Sequence, residues 1–120
     1  MLRGIYSAAG GHDMMQKLIG NLNGITAVFA TNDAIAFGAI RAALDAGLHI
    51  PEDISLVGFD DVEMAAIVHP PLTTVRQFRY ELGAAAVEIL IRQAGSKGAL
   101  PEHRKFGVEL VERMSCRAID

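Results

Sequence analysis

Two short apolar runs, Thr26-Ala27-Val28-Phe29-Ala30 and Ile54-Ser55-Leu56-Val57-Gly58-Phe59, are each followed at once by polar residues and then by a helical pattern. This order restricts the fold more than any other feature of the chain. Runs that are short, β-rich and continuously apolar predict strands covered on both faces. From Ala34 to Ala46 the chain is Ala-rich, carries Ile35, Ile40 and Leu44, and ends at Gly47. A glycine there suits the left-handed turn that closes a helix. Strand, helix and strand in succession imply parallel pairing with right-handed crossovers. In such sheets ligands bind beyond the carboxyl ends of the strands, where loops leave for the helices. That rule singles out Thr31-Asn32-Asp33 and Asp60-Asp61.

The rest of the chain alternates in the same way. Met14, Met15, Leu18, Ile19 and Leu22 predict a helix from about Gly11 to Leu22. Pro51-Glu52-Asp53 predicts a turn, and a short helix over Val62 to Val68 is ended by Pro70-Pro71. Thr73 to Arg76 is strand-like. Tyr80 to Ala94 carries Leu82, Ala85, Ala86, Ile89 and Leu90 on one helical stripe. Ser96-Lys97-Gly98 reads as a solvated loop, and a last strand spans Val108 to Met114.

Charge and size exclude several functions. The chain has 120 residues, enough for one domain and a modest core. Its net charge is −3 and its eleven Lys and Arg are scattered, so it presents no basic face for nucleic acid. The lone Cys116 makes no intrachain disulfide and fits a reducing compartment. Met1-Leu2-Arg3-Gly4-Ile5-Tyr6 lacks the apolar run of a signal peptide, and no segment approaches a membrane span. The expectation is a soluble, cytoplasmic protein without membrane contact.

Each polar residue at the strand ends has more than one reading. Asp60-Asp61 suits a metal or phosphoacceptor pair, a solvated turn, or a ligand-facing acid beside a structural one. The first wants further acids at an earlier strand end and a late lysine, and the amino-terminal part offers only Asp13. Asn32 stands where a helix amino-terminal cap would stand, a position that also faces a cleft. Phe29, inside an apolar strand, reads first as core. His12, His49, His69 and His103 show no ligand spacing, so neither metal nor cofactor is expected. Gly10-Gly11 reads as a turn, because neither a dinucleotide fingerprint nor a Lys-bearing phosphate loop surrounds it. No Ser, Cys or His lies in a nucleophile motif, so no catalytic residue is expected.

At these loops the chain resembles the lactose-repressor/galactose-repressor (LacI/GalR) family. The resemblance runs through Thr26 to Asp33, the helix through Gly38-Ala39 to Ala46-Gly47-Leu48, and Ile50-Pro51-Glu52-Asp53 to Asp60-Asp61. It continues through Pro70-Pro71-Leu72-Thr73-Thr74-Val75-Arg76-Gln77, Leu82-Gly83 and Leu110-Val111-Glu112-Arg113-Met114-Ser115. It implies an α/β, parallel-sheet, three-layer periplasmic-binding-protein-like (type I) fold, of which this chain is a partial copy, mainly the carboxy-terminal lobe. Residues 1–75 would form that lobe, 76–106 would cross to the amino-terminal lobe, and 107–120 would return. By position, Asp60 would accept from effector hydroxyls or ring nitrogens, and Asn32 would offer its two-faced amide. Phe29 would supply an apolar wall, and Gln77 a lesser contact. No pocket role transfers to Phe78 or Arg79, whose order differs from the lactose-repressor pattern.

The function implied is the ligand-sensing and dimerisation part of a bacterial transcription regulator. Its effector would be a sugar or nucleoside, and DNA would be reached only through a helix-turn-helix headpiece absent from this chain. The homodimer would use Asp33–Ala46 and Val62–His69, rich in Ala34, Ala36, Ala39, Ala42, Ala43, Ala65, Ala66 and Ile67. A sugar-binding protein of a transport system is the alternative, and a small α/β enzyme pairing Asp60 with a base such as His69 ranks last. The apolar stripe of Tyr80–Ala94 would need cover from the amino-terminal lobe. The isolated chain is therefore expected to self-associate through it and to enclose an effector poorly.

Overall fold

The computed structural model describes residues 5–96, 98 and 100–119. The elements, in chain order, are α1 (Ala8–Ile19), β1 (Ala27–Phe29), α2 (Asp33–Asp45), β2 (Ser55–Val57), α3 (Met64–Ile67), β3 (Thr74–Gln77), α4 (Arg79–Ala94) and β4 (Val108–Val111). They fall into two compact units. One runs to Arg76 and resumes at Leu110, and the other is Gln77–Glu109.

The first unit is built on a parallel β-α-β core. β1 and β2 pair with Ala27 opposite Ser55, Val28 opposite Leu56 and Phe29 opposite Val57, and α2 is the crossover between them. Backbone groups of successive strand residues point to opposite edges. Ser55 therefore donates to Thr26 on the β1 side, whereas Leu56 donates to Ser115 and Gly58 to Thr73 on the other. β3 lies along that second edge, joined to it by parallel bridges from Val57 to Thr73 and from Asp60 to Arg76. Where the ladder opens, the buried Ser115 closes it. Its hydroxyl donates to the Leu56 carbonyl at 2.6 Å and accepts from the Thr73 amide at 2.8 Å.

α1 begins earlier than the sequence predicts. Ser7 caps it, with Oγ accepting from the Gly10 amide at 3.1 Å, so Gly10-Gly11 lie inside the helix rather than in a turn. Both glycines are buried. The small residues let α1 and α2 touch at the backbone. A Cβ on Gly38 would run into the Ala8 carbonyl of α1 and stand 2.7 Å from the His12 amide nitrogen. Ile54, Leu56 and Leu72 are almost fully buried, and Met15, Ile35 and Ile40 join them in the core.

Two expectations about exposure are corrected. β1 is not covered on both faces, since Ala27 and Phe29 are exposed and only Val28 is half-buried. That face is only partly roofed by α1, which leaves a groove. The alanines assigned to a dimer face divide: Ala36, Ala39, Ala42, Ala43 and Ala65 are buried in the chain's own core, while Ala34, Ala66 and Ile67 stay exposed. Their small size serves the approach of α1 and the sheet.

In the second unit, α4 buries only Ala85 and exposes Leu82, Val87, Leu90 and Ile91. Arg104 binds Glu88 of α4 and Glu102, both at 3.0 Å. Lys97 of the predicted solvated loop lies outside the described residues. No described helix is long and apolar enough to cross a membrane.

Candidate functional site

The parallel register decides which polar residues share a rim. Phe29 is opposite Val57, so the segments that follow β1 and β2, with Asn32 on one and Asp60 on the other, leave the same carboxyl edge. The two loops are stitched together past the strand ends, where Ala30 donates to the Val57 carbonyl and Asp33 to the Phe59 carbonyl, each at 2.8 Å. Asn32 and Asp60 thus emerge from one carboxyl edge of neighbouring parallel strands, and both remain partly exposed. This is where such sheets take ligands.

Asn32 caps α2. Its Oδ1 accepts from the Ile35 amide at 2.8 Å, and its backbone is extended as caps require. The cap occupies one lone pair of Oδ1, so the Nδ2 donor is the larger part of what the amide can offer a ligand. Asp60 and Asp61 both adopt positive φ, at 119° and 53°. Non-glycine residues there carry backbone strain, which persists only where the surroundings over-determine it.

Those surroundings are visible. The Asp60 amide donates to the Val75 carbonyl at 2.9 Å. Asp33, fully buried, accepts from the Val62 amide at 2.9 Å and from the Thr74 hydroxyl at 2.6 Å. Gly58 makes room for it, because a Cβ at that position would collide with Asp33 Oδ1. On the other side Asp61, with only 8 % of its side chain exposed, binds Arg113 at 2.6 Å and Arg76 at 2.7 Å. Burial pushes the Asp61 carboxyl up, but the hydrogen bonds and charges of Arg113 and Arg76 outweigh it and hold the group below the ordinary carboxylate value. Arg113 also donates to the Leu72 carbonyl at 2.8 Å. Among the described residues no trio of His, Cys, Asp or Glu gathers as a metal-binding group.

Of the four residues singled out in sequence, Asn32 and Asp60 follow the carboxyl ends of the paired strands β1 and β2. Phe29 is 60 % exposed and so is no core residue. It lines an apolar groove of about 340 Å³ with Met14, Leu18 and Ile25. Neither Asn32 nor Asp60 lines that groove, and its walls carry little to orient a polar ligand. Gln77 ends β3 and opens the second unit. Sequence reasoning missed Asp33, Arg76 and Arg113. An acid in the first turn of a helix was visible for Asp33, but its burial was not. Arg113 lies far along the chain from its partners, and no local pattern marks it.

The profile of the periplasmic binding protein-like domain family matches residues 4–116. The HTH-type transcriptional regulator MalR of Clostridium butyricum is 38% identical over 116 residues, covering 97% of this chain and 34% of MalR. Among solved structures, a LacI family transcriptional regulator from Enterococcus faecalis V583 with bound ribose has a TM-score of 0.87 at 35% identity, over 96% of this chain and 42% of that one. The lac repressor dimer bound to operator and the anti-inducer ONPF has a TM-score of 0.86 at 34% identity, over 96% and 40%. The chain spans about a third of the length of the curated relatives it matches.

Proposed function

The chain belongs to the periplasmic binding protein-like domain family, and from that premise we propose that it is the effector-sensing part of a LacI/GalR-type transcriptional regulator. The effector is a sugar or nucleoside. It sits at the rim where Asn32 and Asp60 leave parallel strands. One observation carries this reading: an amide and a carboxylate share one strand edge, with the carboxylate on a strained, firmly held turn. A carboxylate accepts from two hydroxyls and the amide donates, which suits a polyol and penalises an analogue missing a hydroxyl. Phe29, exposed three residues before Asn32, supplies an apolar wall.

The reading is of a binding module and not of an enzyme, in line with relatives that are transcriptional regulators. In the complete protein the chain works in the cytoplasm, pairs with a second copy as the lac repressor dimer does, and reaches operator DNA through a headpiece outside this sequence. Ile67 and Ala66 of α3 and Ala34 of α2 are the exposed small and apolar positions for that pairing.

The test is an amide-resolved NMR titration of the chain with ribose, lactose and adenosine at millimolar concentration, since an open rim binds weakly. One ligand class should shift the Asn32 and Asp60 signals, and Asp60→Asn should abolish the response. Shifts confined to other surfaces, or none with any of the three, would overturn the proposal.

A further inference from the structure

The acid next to the proposed contact is one of the most heavily bonded side chains in the first unit, and its bonds run away from the rim. Asp61 sends one carboxylate oxygen to Arg76 at 2.7 Å and the other to Arg113 at 2.6 Å. Both of its oxygens are thus taken up by guanidinium groups. Its backbone is left-handed and so is that of Asp60, so the turn from Phe59 to Val62 makes two consecutive residues pay a conformational cost. Such a pair relaxes unless something beyond the turn restrains it. Asp33 restrains the far end through the Val62 amide, and the Val75 carbonyl restrains the near end through the Asp60 amide. Neither bond reaches the middle, where the Asp61 carboxylate is tied to Arg76 and Arg113.

We propose that Asp61 is a positioning residue for Asp60: gripped by Arg76 and Arg113, it holds the turn in the left-handed conformation that presents the Asp60 carboxylate to a ligand. The inference rests on the effector reading for its functional meaning, but the geometry it asserts does not need a ligand. Arg76 on β3 and Arg113 beyond β4 face Asp61, and Asp60 is its chain neighbour. Arg113 also donates to the Leu72 carbonyl, and its amide donates to Thr73 Oγ1 at 2.9 Å, so the grip is anchored in the sheet rather than in solvent.

Amide hydrogen exchange of the chain, expressed as protection relative to intrinsic rates, tests it without a ligand. In Asp61→Asn, protection of the Asp60 and Val62 amides should fall by about tenfold more than that of Ala30 and Leu56, which are bonded elsewhere in the same unit. In the unsubstituted chain the same selective loss should appear on acidification, as Asp61 takes up a proton, and it should be absent from Asp61→Asn. Asp61→Glu, which keeps the charge, should restore part of the protection. An equal fall at all four amides would mean a merely structural acid and would overturn the proposal, as would unchanged protection at Asp60. The ligand arm is read separately by titrating ribose, adenosine and lactose. Where one of them binds, Asp61→Asn should weaken it by about tenfold with Asp60 still present. Should no probe respond to Asp60→Asn, the effector reading fails while the exchange data still judge the positioning role.

Discussion

At the scale of single residues, the carboxylates divide by where their hydrogen bonds point. Asp33 and Asp61 bond inward to Val62, Thr74 and Arg113, while Asp60 follows the end of β2 partly exposed. A carboxylate lowered by two guanidinium partners links stability to pH with a definite sign. The folded value of Asp61 lies below its unfolded value of about 3.9, so its contribution is complete above that pH and disappears as pH falls through the folded value. Urea melts between pH 7 and pH 3 should therefore show an acid limb that Asp61→Asn makes shallower. At pH 7 the same variant should be less stable by about 1.5–3 kcal/mol, the loss of hydrogen bonds between charged groups. Asp45 and Asp53 are lowered too, by Arg41 and by the His49 amide, so the difference between the two chains isolates Asp61.

Elements show where sequence reading succeeds and where it stops. Local patterns placed the helices and strands and their order, because apolar periodicity and the Asn and Gly caps are written in adjacent residues, whereas the Ser7 cap of α1 went unread. Asn32 was legible as a cap for that reason, and Asp60 as a strand-end acid. Coverage was not legible. Phe29 read as core because its neighbours are apolar, but whether a face is roofed depends on an element distant in sequence. The same holds for Ala39, which read as surface and is buried against α1. The α1–α2 contact offers a measurable consequence. Gly38→Ala gains helix propensity worth about 1 kcal/mol, but the new methyl must displace the Ala8 carbonyl, an overpacking cost of about 1–3 kcal/mol with backbone on both sides. The variant should be net destabilised, with a lower midpoint in thermal unfolding. A higher midpoint would mean the helices separate easily.

For the whole molecule, the second unit leaves the larger problem. α4 exposes Leu82, Val87, Leu90 and Ile91, an apolar surface that a lone chain in water hides poorly. Concentration-dependent association is expected in sedimentation velocity, and Leu90→Lys with Ile91→Glu should weaken it by removing the part that α4 contributes. A monodisperse monomer at high concentration would remove that expectation. The resemblance to the regulator family was legible over nearly the whole chain because its motifs sit at the strand ends. What closes over those ends was not, since the relatives are about three times longer.

The bonds from Asp61 to Arg76 and Arg113 have a topological effect as well. They join a point just before the chain leaves the first unit to one just after it comes back, so the whole excursion from Gln77 to Glu109 behaves as a ring with its ends already tied. The entropy of closing such a ring grows only with the logarithm of its contour, about 0.6 kcal/mol per doubling. Extra residues spliced into the stretch around Leu100 would therefore tax folding very little, and the knot at the neck would stay as it is.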